Sequence, residues 1–428
     1  MTTTLSAGTA ELDITPPVGV DLTGYVARQG ASVSVHDRLF ARALVLDDGR
    51  TRAALVACDL VGFTVAFAAA ARAAIGDAID VPVHAVMLTG THTHSGPATI
   101  PLHGCGAIDP AYLESLPPRL IEVARQATAN MTRVHVGVGQ GAFPDGLFNR
   151  RRDGAPVDPG VGVACLRTPD GTTVATLVNY GCHPVVLDAT NLHVSADYPG
   201  YLAAALQRTV GGMAFFLTGA CGNADPVRRS SFEAAAWLGE ALADEAIRTI
   251  RRMDFLPEPT LCSAAERIAL PLQQLPTTET LTQAVADHSA RLAQAEASGD
   301  SLAARVERAM VAWGKTTLAA VQSGEAATTM EADVQVLRIG PLTLAGIPGE
   351  LFSTLGTQIK TGPPGSHIFI AGYANGDVGY IPSRSAYGSG GYEVNDAYKY
   401  YGYPAALAPE AGEAVVELAS SLVQHCKE

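Results

Sequence analysis

Apolar and polar positions along the chain fall into two rhythms. "RLFARALVLDDGRTRAALVACDL" (residues 38–60) is two apolar runs around Asp-Asp-Gly, the pattern of a β-hairpin whose second strand ends at Asp59. An Ala-rich helix is predicted at about 64–76, then a strand, "VPVHAVMLTG", leading into His92. Residues 110–130 read as helix interrupted at Pro117-Pro118. "RVHVGVGQG" and "VGVACLRTPDGTTVATLVNYGCHPVVL" add strands, the latter a hairpin turning at Asp170-Gly171. "GYLAAALQRTV" and residues 231–253 are helical around the strand and Gly-rich loop of "MAFFLTGACGNADP".

Residues 277–323 change rhythm. Leu281, Val285, His288 and Leu292, then Leu302, Val306, Met310, Trp313 and Val321, repeat at helical spacing on either side of Ser-Gly-Asp. This is an αα-hairpin inserted between strands, and His288 on its apolar stripe reads as an interface histidine. "VQVLRIGPLTLAGIPGE" returns to strand, followed by a helix from about 350, a Gly/Tyr-rich stretch at 372–404 and a last helix. Alternating strands and helices predict an α/β fold with mixed sheets covered by helices. No linker or repeat divides it, so residues 1–428 are expected to form one domain.

Composition narrows the function. Hydrophobic residues make up 47% and charged residues 17%, a globular balance. A net charge of −13 with no basic run disfavours nucleic acid as a partner. No run reaches the roughly 18 apolar residues of a membrane helix, so no stable membrane association is expected. The N-terminus shows no secretory pattern, and seven cysteines lack paired spacing. Both observations predict reduced thiols and a cytoplasmic location. The oligomeric state is left open.

Candidate chemistry sits at strand ends, where α/β proteins keep it. "THTHSGP" (91–97) carries His92 and His94, which share one side if the strand stays extended. Asp59, His183 in "NYGCHPVVL", Asp225 in "TGACGNADP" and Glu350 in "IPGELF" occupy further ends. Each has a plain structural reading, as a cap, a turn or a packed core group. Together, two or three histidines and a carboxylate from separate strand ends are the ligand set of a catalytic zinc. The chain has no H-E-x-x-H helix, no G-x-S-x-G elbow and no G-x-G-x-x-G after a strand. The common zinc-protease helix, a serine hydrolase and a dinucleotide fold are thereby disfavoured.

In order, "THTHSGP", "NYGCHPV", "SADYPG", "TGACGNADP" and "IPGE" resemble the catalytic domain of neutral ceramidases and their bacterial relatives, from about residue 8 to about 405. The opening "AELDITPP…HDRLFARALVL" resembles that domain's start. Neutral ceramidases are zinc amidases that split the N-acyl bond of ceramide. The resemblance implies zinc on His92, His183, Glu350 and a tyrosine, with His94 facing substrate and water. It also implies Arg150 in "FNRRR" as a substrate or oxyanion contact, with Arg151 as its rival. The family's ligand tyrosine is followed twelve residues later by a second active-site tyrosine, a spacing kept by Tyr380 and Tyr392. Two departures stand out. Asp225 replaces the ceramidase serine, and the β-sandwich domain that follows in ceramidases is expected to be absent.

The expectation is therefore a zinc-dependent hydrolase of a C–N amide bond in a small polar substrate, N-acyl or cyclic. Asp225 would act as base or extra ligand, with His94, Arg150 and Tyr392 orienting the acyl group. The competing readings are a one- or two-metal lactone or ester hydrolase (Asp59 joining Asp225), a true ceramidase, and a non-catalytic binding protein of the same fold.

Overall fold

A computed structural model describes residues 4–257, 259–361 and 366–426. The Phe40–Asp47 and Arg52–Cys58 strands pair antiparallel, Ala41 opposite Cys58 and Asp47 opposite Arg52. Their turn is held by Asp48, whose Oδ1 accepts from the amides of Arg50 and Thr51. Ser6–Asp13 and Thr132–Arg133 extend this sheet on one side, and Val86–Gly90 pairs parallel to Arg52–Cys58 on the other. Nearly every residue of the two central strands is buried, which requires cover on both faces. Helices Val65–Ile79 and Pro110–Ala129 supply one cover, and a second five-stranded sheet supplies the other.

That second sheet runs Met213–Thr218, Thr173–Tyr180, Gly160–Arg167, His135–Ala142 and Phe255–Leu256, with its outer face under helices Asp197–Thr209 and Phe232–Ile250. A third sheet, Leu261–Pro271, Thr329–Ile339, Leu342–Gly346 and His367–Ala371, is covered by the Ala411–His425 helix. One apolar cluster takes in Leu44 and Leu55 of the first sheet, Leu177 and Phe215 of the second, and Leu342 and Leu344 of the third. The expected mixed sheets covered by helices are what the structure shows.

The αα-hairpin forms as Thr278–Ser298 and Ser301–Ser323, with Gly299 left-handed at the turn and Asp300 capping the second helix. It docks through Trp313, whose Nε1 donates to the Tyr403 carbonyl, and through Arg305, which donates to the carbonyls of Val26 and Ala27. His288 is consumed inside it by Glu307.

Three expectations need correcting. The Pro110–Ala129 helix runs unbroken through Pro117 and Pro118. The carbonyls that lose an amide partner belong to Leu113 and Glu114, half-buried and exposed, where water can serve them. Glu350 lies in a two-residue strand pairing parallel with Tyr380–Ile381, and the helix starts only at Ser353. Cys262 and Cys426 are joined in a disulfide across 164 residues, so scattered spacing did not mean unpaired thiols; Cys58, Cys105, Cys165, Cys182 and Cys221 are free and buried.

Candidate metal centre

Each large sheet contains one parallel pair, and the three pairs end at one place. Side chains stitch these ends together. Thr89 Oγ1 donates to the Gly372 carbonyl at 2.8 Å, and Thr218 Oγ1 to the Thr91 carbonyl at 2.7 Å. Asn179 Nδ2 reaches both Leu217 and Ile370 carbonyls at 2.8 and 2.7 Å. The loops leaving this junction carry His92, His183 and Glu350.

His92 does not continue the strand. The Val86–Gly90 strand stops two residues earlier, and His92 adopts a left-handed φ of 68°. The turn, rather than a shared pleat face, brings the Nε2 atoms of His92 and His94 to 3.2 Å. His92 Nδ1 lies 2.6 Å from the Val61 carbonyl, and His183 Nδ1 2.6 Å from the Cys221 carbonyl. A carbonyl only accepts, so each Nδ1 carries the hydrogen and each Nε2 offers a lone pair. Both lone pairs face Glu350, whose Oε2 is 2.8 Å from His183 Nε2 and 3.7 Å from His92 Nε2. The ligand atoms of the three residues lie within 4.8 Å of one another, and all three are buried. Among the described residues this is the one such group of three or more.

Two lone pairs and a carboxylate aimed at one point repel unless a cation or a proton lies between them. Burial pushes His92 down to about 4, so it is neutral at ordinary pH. Burial also opposes charge on Glu350, but His183, His92 and Tyr401 outweigh it and hold the carboxyl down to about 2. On His183 burial opposes the charge, but Cys221 and Glu350 outweigh it and hold the ring well above its ordinary pKa, so a proton between its Nε2 and Glu350 stands where a divalent cation would displace it. Asp59 is not part of it: its Oδ2 accepts from the Phe40 amide and Arg42 Nη1, both at 2.9 Å, which pins the first sheet.

Arg150 follows the Leu147–Asn149 strand, which pairs with Ala224–Pro226 and so sets Asp225 beside it. Every nitrogen of its guanidinium is engaged: Nε with Glu393 at 2.9 Å, Nη1 with Asp225 at 3.2 Å, Nη2 with the Gly222 carbonyl at 3.1 Å and the Tyr380 hydroxyl at 2.9 Å. Arg151 turns away, to Glu393 and the carbonyls of Ala386 and Gly390. Asp225 uses its other oxygen on Arg229 at 3.0 Å, so both oxygens are held by guanidiniums. Its Oδ1 comes within 3.9 Å of His183 only at Nδ1, the side away from Glu350.

His94 presses against Gly24, where a Cβ would stand 2.3 Å from its Nδ1. That nitrogen is buried without a partner, and burial with the neighbouring His92 and His183 keeps the ring well below its ordinary pKa. A cavity of about 270 Å³ opens over these groups, lined by His92, His94, Arg150, Asp225, Arg229, Glu350 and Tyr380. Tyr392, 46% exposed, stands at its rim with its ring 5.8 Å from that of Tyr380.

Sequence reasoning passed over three residues. Tyr401 donates to Glu350 Oε1 at 2.6 Å, Tyr373 stacks on His92 at 3.8 Å, and Glu393 holds Arg150. All lie in the Gly/Tyr-rich stretch, whose composition marks the region but not which ring meets which ligand.

Three sheets whose parallel strand ends surround a buried His-His-Glu group define an α/β protein with a candidate metal centre. Residues 5–154 match the neutral/alkaline non-lysosomal ceramidase family, N-terminal domain. The fold matches the crystal structure of neutral ceramidase from Pseudomonas aeruginosa with a TM-score of 0.75 and 18% identity, over 98% of this chain and 74% of that one. A ceramidase complexed with C2 matches equally, TM-score 0.75 at 17% identity, over 98% and 75% of the two chains. The family match thus covers the N-terminal third of the chain, while the neutral ceramidase fold is shared over nearly all its length.

Proposed function

We propose that this chain is a zinc-dependent hydrolase that cleaves an amide bond in a small polar N-acyl or cyclic substrate. The coarser part, a hydrolase of the ceramidase family, is supported by the family match and the shared fold. The observation that carries the rest is the buried His92–His183–Glu350 group at the floor of a cavity walled by His94 and Arg150. Two imidazole nitrogens and one carboxylate suit zinc better than calcium or magnesium, which prefer oxygen. Bound there, zinc would supply a Lewis acid that polarises a carbonyl and lowers the pKa of water from about 15.7 toward about 7.

The side chains supply the remainder. His94 is neutral and points Nε2 toward His92, so it accepts the proton of the attacking water at that atom and returns it to the leaving amine. Tyr380 receives a hydrogen bond from Arg150, which leaves its own O–H free to donate to the developing oxyanion. Burial holds that phenol well above its ordinary pKa, so the donor stays protonated. Asp225 aligns Arg150 rather than serving as base, because taking a proton would break its two ion pairs. Tyr392 at the rim guides the acyl group.

A cavity of about 270 Å³ with an ion-paired carboxylate in its wall favours a compact, hydrated ligand over a two-tailed lipid. The test is a panel of soluble amides, lactones and detergent-dispersed ceramides with zinc-loaded protein. We expect a small amide to turn over fastest; ceramide or a lactone in first place would overturn the assignment.

A further inference from the structure

A second cavity, of about 620 Å³, adjoins the first, and Tyr25 and Leu102 line both. Two of its walls are Arg28 and Arg305. The chain carries 42 acidic against 29 basic side chains, so an arginine can readily find a carboxylate. Neither of these has one: among the described residues no carboxylate lies within 4.0 Å of either guanidinium, and backbone carbonyls hold both. Arg28 donates through Nε to Asn191 and through Nη1 to Thr23, at 3.0 and 2.6 Å. Its Nη2 is buried with no partner, although the residue is only 7% exposed. Arg305 donates to Val26 and Ala27 at 3.0 and 3.1 Å.

Burying a guanidinium without a counter-ion is costly, and burial brings Arg28 down to about 10, which still leaves it charged at neutral pH. The cavity's own acid, Asp21, is occupied, its Oδ2 accepting from the Ala107 amide at 3.0 Å. The Tyr25 ring is 4.9 Å from that of His94 and 5.0 Å from Arg28 Cζ, so one aromatic ring separates the two cavities' working groups.

We propose that this vestibule is a carboxylate subsite, and that the preferred substrate is an N-acyl compound whose distal end carries a carboxylate read by Arg28 and Arg305. The proposal takes the scissile amide from the function proposed above, but the anion preference stands apart from it. The hairpin's part is then specific: its second helix brings Arg305 to a wall that the Val26–Ala27 loop alone would leave without that charge.

The test compares N-acetylated amino acids with their uncharged carboxamide counterparts on metal-loaded, full-length protein. It follows kcat/KM and, in parallel, binding by thermal shift. A carboxylate gaining charge-assisted hydrogen bonds should be favoured about 10- to 100-fold. Arg305→Gln should lower the ratio of the carboxylate rate to the carboxamide rate by about tenfold or more, and Arg305→Lys should restore part of it. Equal rates and equal binding for the two series would overturn the subsite while leaving an amide hydrolase in place. If nothing is hydrolysed but carboxylates still bind better, and lose that advantage in Arg305→Gln, the hydrolase reading fails and the subsite stands. Absence of binding and turnover in both series overturns the subsite too.

Discussion

His183 meets two requirements with one ring: Nδ1 is fixed by the Cys221 carbonyl, and Nε2 faces Glu350. Replacing it with Ala removes one of the three side chains proposed to hold the metal. His183→Ala should therefore lose tightly bound metal while keeping its far-UV circular dichroism, as elemental analysis of the dialysed protein will show; full metal content would remove His183 from the ligand set. The proton-transfer assignment is separable in the same way. His94→Ala should retain metal and lose about 10²–10⁴-fold in kcat, the usual worth of a general base. Asp225→Asn, which only loosens Arg150, should lose about tenfold. The reverse ranking in steady-state kinetics would return the base role to Asp225. The ligand types were legible as residues, since His92, His183 and Glu350 all follow apolar runs. Their convergence was not: a left-handed turn at His92 and the partners at Tyr401 and Tyr373 depend on contacts between segments far apart in the chain.

At the scale of elements, hydrophobic rhythm sufficed for the Phe40–Cys58 hairpin and for the helices of the 277–323 insertion, where burial follows local periodicity. It failed at Glu350, because a two-residue parallel bridge to Tyr380 leaves no periodic trace. The start of the Asp197–Thr209 helix shows an element held by a buried acid. Asp197 has a left-handed φ of 57°, and its carboxylate accepts from the amides of Leu187 and Tyr198, tying the helix to the loop that follows His183. Burial, reinforced by Asp37, outweighs those hydrogen bonds and raises its pKa from 3.8 to about 6. The native state therefore holds the proton more tightly than the unfolded chain. The contribution is fully present below pH 3.8 and is lost as pH rises toward about 6. Asn tolerates the same backbone conformation and does not titrate. Denaturant titrations across that window should show the wild type losing stability relative to Asp197→Asn as pH rises. A difference that stays flat with pH would mean Asp197 is ionised throughout.

For the molecule as a whole, the shared core of the three sheets explains how the ends of separate parallel pairs meet, with side-chain bonds such as Asn179 to Leu217 and Ile370 locking the junction. Glu350 follows the third sheet's Leu342–Gly346 strand by four residues, so the attachment of that sheet bears on whether the candidate ligand group stays assembled. That sheet lies under the Ala411–His425 helix, and Cys426 just beyond the helix is bonded to Cys262 on the Leu261–Pro271 strand. Sequence spacing could not reveal this link, since partners 164 residues apart leave no local pattern. Arg338 adds a second tie by donating to the Cys426 carbonyl at 2.7 Å. Closing so long a loop restricts the unfolded chain strongly, and a native disulfide of this kind typically contributes about 2–4 kcal/mol. Cys426→Ser should therefore lower the thermal midpoint of oxidised protein, and wild type treated with reductant should fall to the same value. Because the helix covers the sheet whose Leu342–Gly346 strand leads into Glu350, metal should also leave the variant more readily in a chelator challenge. Identical midpoints for oxidised, reduced and Cys426→Ser protein would show that the two sulfurs are not joined in solution. A lowered midpoint with unchanged metal release would show instead that the disulfide secures the helix without steadying Glu350.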